Sequence, residues 1–275
     1  MAERISAPGA SNTAITGLVE GVPFVALPPE GVTGPAPLVV TWHLMDAPRS
    51  EQAMAAALPM AGLPAWRVYL GLPMFGARAP KGGTDEFFAL AASDYVLNVA
   101  EPVVEQAAGE LPSVVAALRD RLSITDSPIG VAGGSAGAGV ALEVTARADV
   151  PIAAAALVSP VCSLRGAVGA NERSFGVEYQ WSERSSAVAE KYDYVRRAGE
   201  LGVPVLLVVG SDDDPGFREP AARLHAALGD DARLVEVPGM AHALAEEPGV
   251  EAAPQTEHAA VADAEFTAWF ARYLR

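Results

Sequence analysis

One cysteine, Cys162, stands in a chain of 275 residues. No internal disulfide can brace this fold, and no Cys/His spacing points to zinc; a reducing, cytoplasmic setting suits such a chain. Basic residues are also scarce, 19 against 34 acidic ones, for a formal charge of -15. A nucleic acid or an anionic membrane would need a basic patch, and no Lys/Arg cluster offers one. Aromatic residues make up only 7% of the chain. Long apolar runs are missing too: "VPVLLVVG" is strand-sized and ends in acids, too short to cross a bilayer. The start, "MAERISAPGASNTAITG", lacks the charged, apolar and small-residue sections of a secretory leader. Neither a repeat nor a low-complexity tail is present.

What is present describes a globular protein: 51% of residues are hydrophobic and 19% charged, and the length fits one α/β domain over residues 1–275. Short β-rich runs alternate with longer helix-type segments, as in a mostly parallel sheet flanked by helices. The pattern predicts strands at Phe24–Leu27, Leu38–His43, Trp66–Leu70, Ile129–Ala132, Ala153–Val158, Val203–Val209 and Leu234–Val237. It predicts helices at Glu51–Ala61, Val99–Leu122, Ala136–Ala148, Phe217–Leu228 and Glu257–Tyr273. "PPEGVTGPAP" and "GLPMFGARAPKGGTDE" read as loops. Residues 162–198 are less regular and hold Phe175, Tyr179, Trp181, Tyr192 and Tyr194, the expectation being a small lid insertion.

The tightest stretch is "SPIGVAGGSAGAGVALEVTARA". Within it, Gly133-x-Ser135-x-Gly137 matches a nucleophile elbow, a pattern that this Gly and Ser content produces by chance in roughly one chain of eight. Context therefore decides. The serine follows the predicted strand "IGVA" and precedes a predicted helix, where a sharp turn needs small neighbours and the helix N-terminus favours developing negative charge. Gly137-x-Gly139 lacks the third glycine that a dinucleotide turn needs at Leu142, and no P-loop occurs. No cofactor or metal is expected.

A serine nucleophile needs a base. Of the four histidines, His225 lies inside a predicted helix, His258 begins the last one, and His43 ends the strand "LVVTWH". His242, in the loop after "LVEVPG", can reach across the carboxyl edge of the sheet and is the preferred base. The strand "VPVLLVV" discharges into "GSDDDPG", where a carboxylate can orient the histidine. Asp213 is preferred there over Asp212 and Asp214, and Asp214 suits a helix cap.

With Ser135, Asp213 and His242 in that order, and with "GGSAG", "VVGSDDD" and "PGMAH", the chain resembles the α/β-hydrolase superfamily, especially its compact carboxylesterase-like and dienelactone-hydrolase- or peptidase-like members. The resemblance runs over nearly the whole chain. It implies an α/β-hydrolase fold, and it points to the third residue after the strand-ending glycine, Asp213, as the acid. It also implies an oxyanion hole formed by the Ala136 N–H and a second N–H from the loop after "LVVTWH". Many relatives have His-Gly at that strand end; here His43 is followed by Leu44 and Met45, either of which could donate, with His43 supporting the loop. Serine, rather than the cysteine of a dienelactone hydrolase or the aspartate of a dehalogenase, favours acyl transfer. The implied activity is hydrolysis of small or medium carboxylic esters. A serine peptidase, an acyltransferase using the same triad, and a non-catalytic binding protein on this fold are the alternatives. Phe175, Tyr179 and Trp181 are the candidate pocket residues.

Overall fold

The computed structural model describes residues 13–274, so most of the stretch read against a secretory leader lies outside the described residues. The chain enters through a hairpin, β1 (Ile15–Val19) and β2 (Val22–Leu27). Its turn, Glu20-Gly21, has positive φ at both positions, the conformation whose twist matches that of paired strands. The expected strands follow as β3 (Leu38–Trp42), β4 (Trp66–Leu70), β5 (Ile129–Gly134), β6 (Ile152–Val158), β7 (Val205–Gly210) and β8 (Ala232–Val237). They form one sheet in the order β1-β2-β4-β3-β5-β6-β7-β8. β1, β2 and β4 pair antiparallel, and every pair from β4 to β8 is parallel. β1 escaped the sequence reading because four of its five residues are exposed, which leaves no apolar alternation to detect.

Every residue of β3, β5 and β7 is buried. A strand that is apolar on both faces needs a helix layer on each side. One face packs on α1 (Glu51–Ala57) and α8 (Glu257–Tyr273) through Met54, Phe266 and Phe270; the other packs on α3 (Glu101–Arg121) and α4 (Ala136–Arg147) through Val103, Leu111 and Val140. α7 (Pro215–Leu228) joins the second layer through Ala221 and Leu224. Alternation along each strand feeds both cores: Val39 and Ala132 point to the first, Val40 and Val131 to the second.

Three further helices lie outside these layers. α2 (Gly83–Tyr95) occupies the end of a stretch expected to be loop, while α5 (Leu164–Phe175) and α6 (Glu183–Lys191) organise the segment 162–198. α6 starts in a reciprocal cap between Ser182 and Ser185. Gly83–Arg121 is an almost continuous helical run, long and apolar enough by composition to cross a bilayer, contrary to the sequence reading. Asp94 breaks it: its backbone is extended (φ −167°, ψ 99°), and its carboxylate accepts the Leu97 N–H at 3.0 Å, restarting the helix.

The strand order directs attention to one place. After β3 the chain goes to β4 on one side and then crosses to β5 on the other. The loops leaving the carboxyl ends of β3 and β5 therefore diverge and open a crevice, where open α/β sheets bind ligands.

Candidate active site

Ser135 sits between the last residue of β5 and the first of α4, at φ 48° and ψ −114°. Positive φ is costly for a side-chain-bearing residue and persists only where the surroundings enforce it. Here the Ser135 N–H donates to Val158 O at 3.1 Å, and the Ser135 carbonyl accepts the Gly139 N–H at 3.1 Å. The flanking glycines are steric necessities. A Cβ on Gly133 would collide with the Gly137 carbonyl, and one on Gly137 would lie 2.5 Å from the carbonyl oxygens of Trp42 and His43. The tight backbone of "GGSAG" lets the helix start pass directly over the end of β3.

The loops after β7 and β8 bring two more of the expected residues to this serine. Ser135 Oγ lies 2.8 Å from His242 Nε2, and His242 Nδ1 lies 3.0 Å from both carboxylate oxygens of Asp213. A carboxylate only accepts, so Nδ1 carries the ring proton and Nε2 is left to accept from the serine hydroxyl. Asp213 is 4% exposed and Ser135 5%. The Asp214 N–H donates to Asp213 Oδ1 at 2.7 Å, holding the acid in place. The neighbouring acids have other work. Asp214 caps α7 by accepting from the Gly216 N–H at 2.6 Å and pairs with Arg173, which lowers its carboxyl pKa. Asp212 accepts from the Ser211 hydroxyl at 2.8 Å.

Two neighbours of His242 were not anticipated as such. The Phe217 ring packs against the imidazole at 4.0 Å between centroids, tilted by 33°; its only trace in the sequence is its place just after the acidic turn. Asp46 Oδ2 stands 3.7 Å from His242 Nε2 on a largely hydrated side chain. His225 and His258 remain on α7 and α8, half-buried.

The loop after β3 has a fixed geometry. His43 is buried, and its Nε2 accepts the Leu72 N–H at 3.0 Å, so Nδ1 is the protonated nitrogen and donates to Leu44 O at 2.6 Å. Burial depresses its pKa to about 4, keeping the ring neutral. The Leu44 N–H is spent on Pro48 O at 3.1 Å. The same loop is tied to the histidine loop: Leu244 N–H donates to Ala47 O at 2.9 Å, Arg49 N–H to Gly249 O at 2.8 Å, and the Arg49 side chain pairs with Glu247.

Over Ser135 opens a cavity of about 830 Å³, bounded by Met45, Ala136 and Phe217 below and by α2 and α5 above. Phe175 and Tyr179 line it. Trp181 stands behind it, edge-on to Tyr179 at 4.7 Å and beneath the Arg165 guanidinium at 4.2 Å. Phe75, before α2, and Phe87 and Phe88 within it supply an aromatic wall. Among the described residues, no group of three or more His, Cys, Asp or Glu converges as metal ligands.

Known proteins agree with this architecture. The dienelactone hydrolase of Anabaena variabilis superposes with a TM-score of 0.58 at 17% identity, over 96% of this chain and 99% of that one. A mutant of esterase rPPE gives 0.62 at 15% identity, over 99% and 86%. At such identities the likeness is one of fold. An uncharacterized protein of Mycobacterium tuberculosis H37Rv is 34% identical over 104 residues, 38% of this chain and 34% of the relative, so the chain spans about a third of that relative's length in the match. The family model for the alpha/beta hydrolase fold matches residues 88–246, a span that holds Ser135, Asp213 and His242 and covers more than half of the sequence. The chain belongs to the alpha/beta hydrolase fold family.

Proposed function

We propose that this chain is a serine hydrolase that cleaves carboxylic esters of small or medium size through an acyl-enzyme on Ser135. The observation that carries the reading is the unbroken relay at the floor of the cavity: Ser135 Oγ to His242 Nε2 at 2.8 Å and His242 Nδ1 to Asp213 at 3.0 Å. Ser135 Oγ attacks the ester carbonyl as His242 Nε2 takes its proton, and the carbonyl π pair moves onto oxygen. Asp213 stabilises the imidazolium so formed. The tetrahedral centre collapses, the C–O bond to the alcohol breaks, and His242 returns the proton to the leaving oxygen. Water then repeats the sequence, releasing the acid and free Ser135.

The developing oxyanion needs two donors. Ala136 is the first residue of α4, so its N–H has no intrahelical acceptor. Met45 is the better second donor than Leu44, because the Leu44 N–H already serves Pro48. His43 is a positioning residue: by holding Leu44 O it sets the plane of the Leu44–Met45 peptide, which carries the Met45 N–H. Phe175 and Tyr179 are substrate-side walls. Asp46, Asp94, Glu172 and Glu178 line the cavity against one cation, Arg49, itself paired with Glu247. That lining favours neutral or cationic esters over those carrying a carboxylate.

The test is turnover of p-nitrophenyl acetate by the wild type and by Ser135→Ala with matched folding. The expected loss in kcat is on the order of 10⁶-fold, as for comparable nucleophiles. Turnover that survives in a well-folded Ser135→Ala protein overturns the assignment.

A further inference from the structure

Beside the large cavity lies a second, of about 30 Å³. Met45, Tyr95, Ala136 and Val161 line both, so the two meet at the candidate oxyanion donors. The small chamber lies against α4, lined further by Val103, Gly139, Leu164 and Tyr194. Its chemistry is mostly apolar although three tyrosines border it, because their hydroxyls already have partners. Tyr194 donates to Gly139 O at 3.2 Å and to Glu143 at 3.1 Å, Tyr192 to Glu105, and Tyr95 contacts Met45 Sδ at 3.8 Å. A polar group entering the chamber would find ring carbon and alkyl walls.

The reaction assigns the two spaces to the two halves of the ester. The leaving oxygen must reach His242 Nε2 to be protonated. Two side chains that flank that imidazole, Phe217 and Asp46, line the large cavity and not the small one. The alcohol half therefore extends into the large cavity. The acyl substituent, on the other side of the carbonyl carbon, faces the small chamber. A volume of this size takes one or two water-sized groups.

We infer that the small chamber is the acyl subsite and that it restricts the enzyme to acetyl-sized or propionyl-sized acyl groups, while the large cavity admits bulky apolar alcohols. This inference rests on the proposed esterase reading and adds its substrate class. A methylene that does not fit a small apolar pocket lowers kcat/KM by about tenfold or more.

The experiment holds p-nitrophenol fixed and lengthens the acyl group from acetate through propionate, butyrate and hexanoate, then holds acetate fixed and enlarges the alcohol to 1-naphthol. The expected result is a fall in kcat/KM of about tenfold or more between propionate and hexanoate, with 1-naphthyl acetate still turned over. Two variants move the boundary in opposite directions. A Cβ on Gly139 meets only Val161, at 3.8 Å and 3.9 Å, which is ordinary contact. Gly139→Ala therefore fills the chamber without a clash and should lower propionate relative to acetate by about fivefold or more. Val103→Ala deepens the chamber and should raise butyrate relative to acetate by a similar factor. Ser135-dependent turnover that is flat or rises with acyl length, or ratios that neither variant moves, overturns the acyl assignment alone. No Ser135-dependent turnover of any ester overturns the esterase reading, and this inference with it.

Discussion

α4 and α2 are helices of similar length and similar apolar content, yet ten of the twelve residues of α4 are buried and none of the thirteen in α2 is. The difference lies in what each follows. α4 leaves a central strand, and Gly133 and Gly137 let it pass within contact distance of β3, so every turn is wedged between sheet and α3. α2 follows the loop after β4 and rides over the mouth of the crevice, presenting Phe87 and Phe88 to the cavity and to water. Apolar content alone does not separate the two, and position in the sheet order decides which one packs. The floor of the site is thus over-determined by packing, and its roof is held by fewer buried contacts.

The strongest way to break this contrast is Gly137→Ala. Its methyl would stand 2.5 Å from two carbonyl oxygens, and forcing backbone apart in a close-packed site costs about 3 kcal/mol, together with most of the activity. Urea denaturation measures the first and ester turnover the second; a variant as stable as wild type would mean that the floor is looser than its contacts imply.

The second concerns pH. In the folded chain the His43 pKa lies near 4, against about 6.5 for an unfolded histidine. Above pH 6.5 the ring is neutral in both states, and its contribution to stability is full. As pH falls below 6.5 the unfolded state takes up a proton that the folded state refuses, so stability drops until the folded ring also titrates near pH 4. The loss reaches up to about 3 kcal/mol, and it should be absent from His43→Gln when the two proteins are compared by denaturation at pH 7 and pH 4.5. Equal pH slopes would show that His43 is not held neutral.

The smallest effect belongs to the roof. Phe88 is 58% exposed, and Phe88→Ser should change stability by less than about 0.5 kcal/mol while raising KM for 1-naphthyl acetate and leaving its kcat in place. A loss of stability above about 1 kcal/mol would instead place α2 in the core and erase the contrast.

Much of the floor was legible in the residues. The alternation of β-rich and helical runs announced a parallel sheet, and "GGSAG", "GSDDDPG" and "PGMAH" stood in the order that brings Ser135, Asp213 and His242 to one edge. Of the three acids in that turn, Asp213 lies against His242, while Asp214 caps a helix and Asp212 bonds Ser211. The roof was not legible. α2 carries no buried stripe to reveal a period, and Trp181 shares the composition of a pocket residue although it packs behind Tyr179. The buried Glu143 pairs with Arg147 one turn further along α4 and with Arg197, 54 positions away, at 2.8 Å each, and the second pairing is one that no local pattern encodes.

The sequence by itself determined the parallel sheet from β3 to β8, the helices α1, α3, α4, α7 and α8 that cover it, and the residue types at the turn, because periodicity, small-residue turns and helix caps act over a few residues. Tertiary structure decided that the Leu44 N–H is spent within the loop after β3, which aromatic side chains face the cavity, and that a second, smaller chamber exists beside α4. Those features depend on distances between segments far apart in the chain, and such distances are set only when the sheet closes and both helix layers pack.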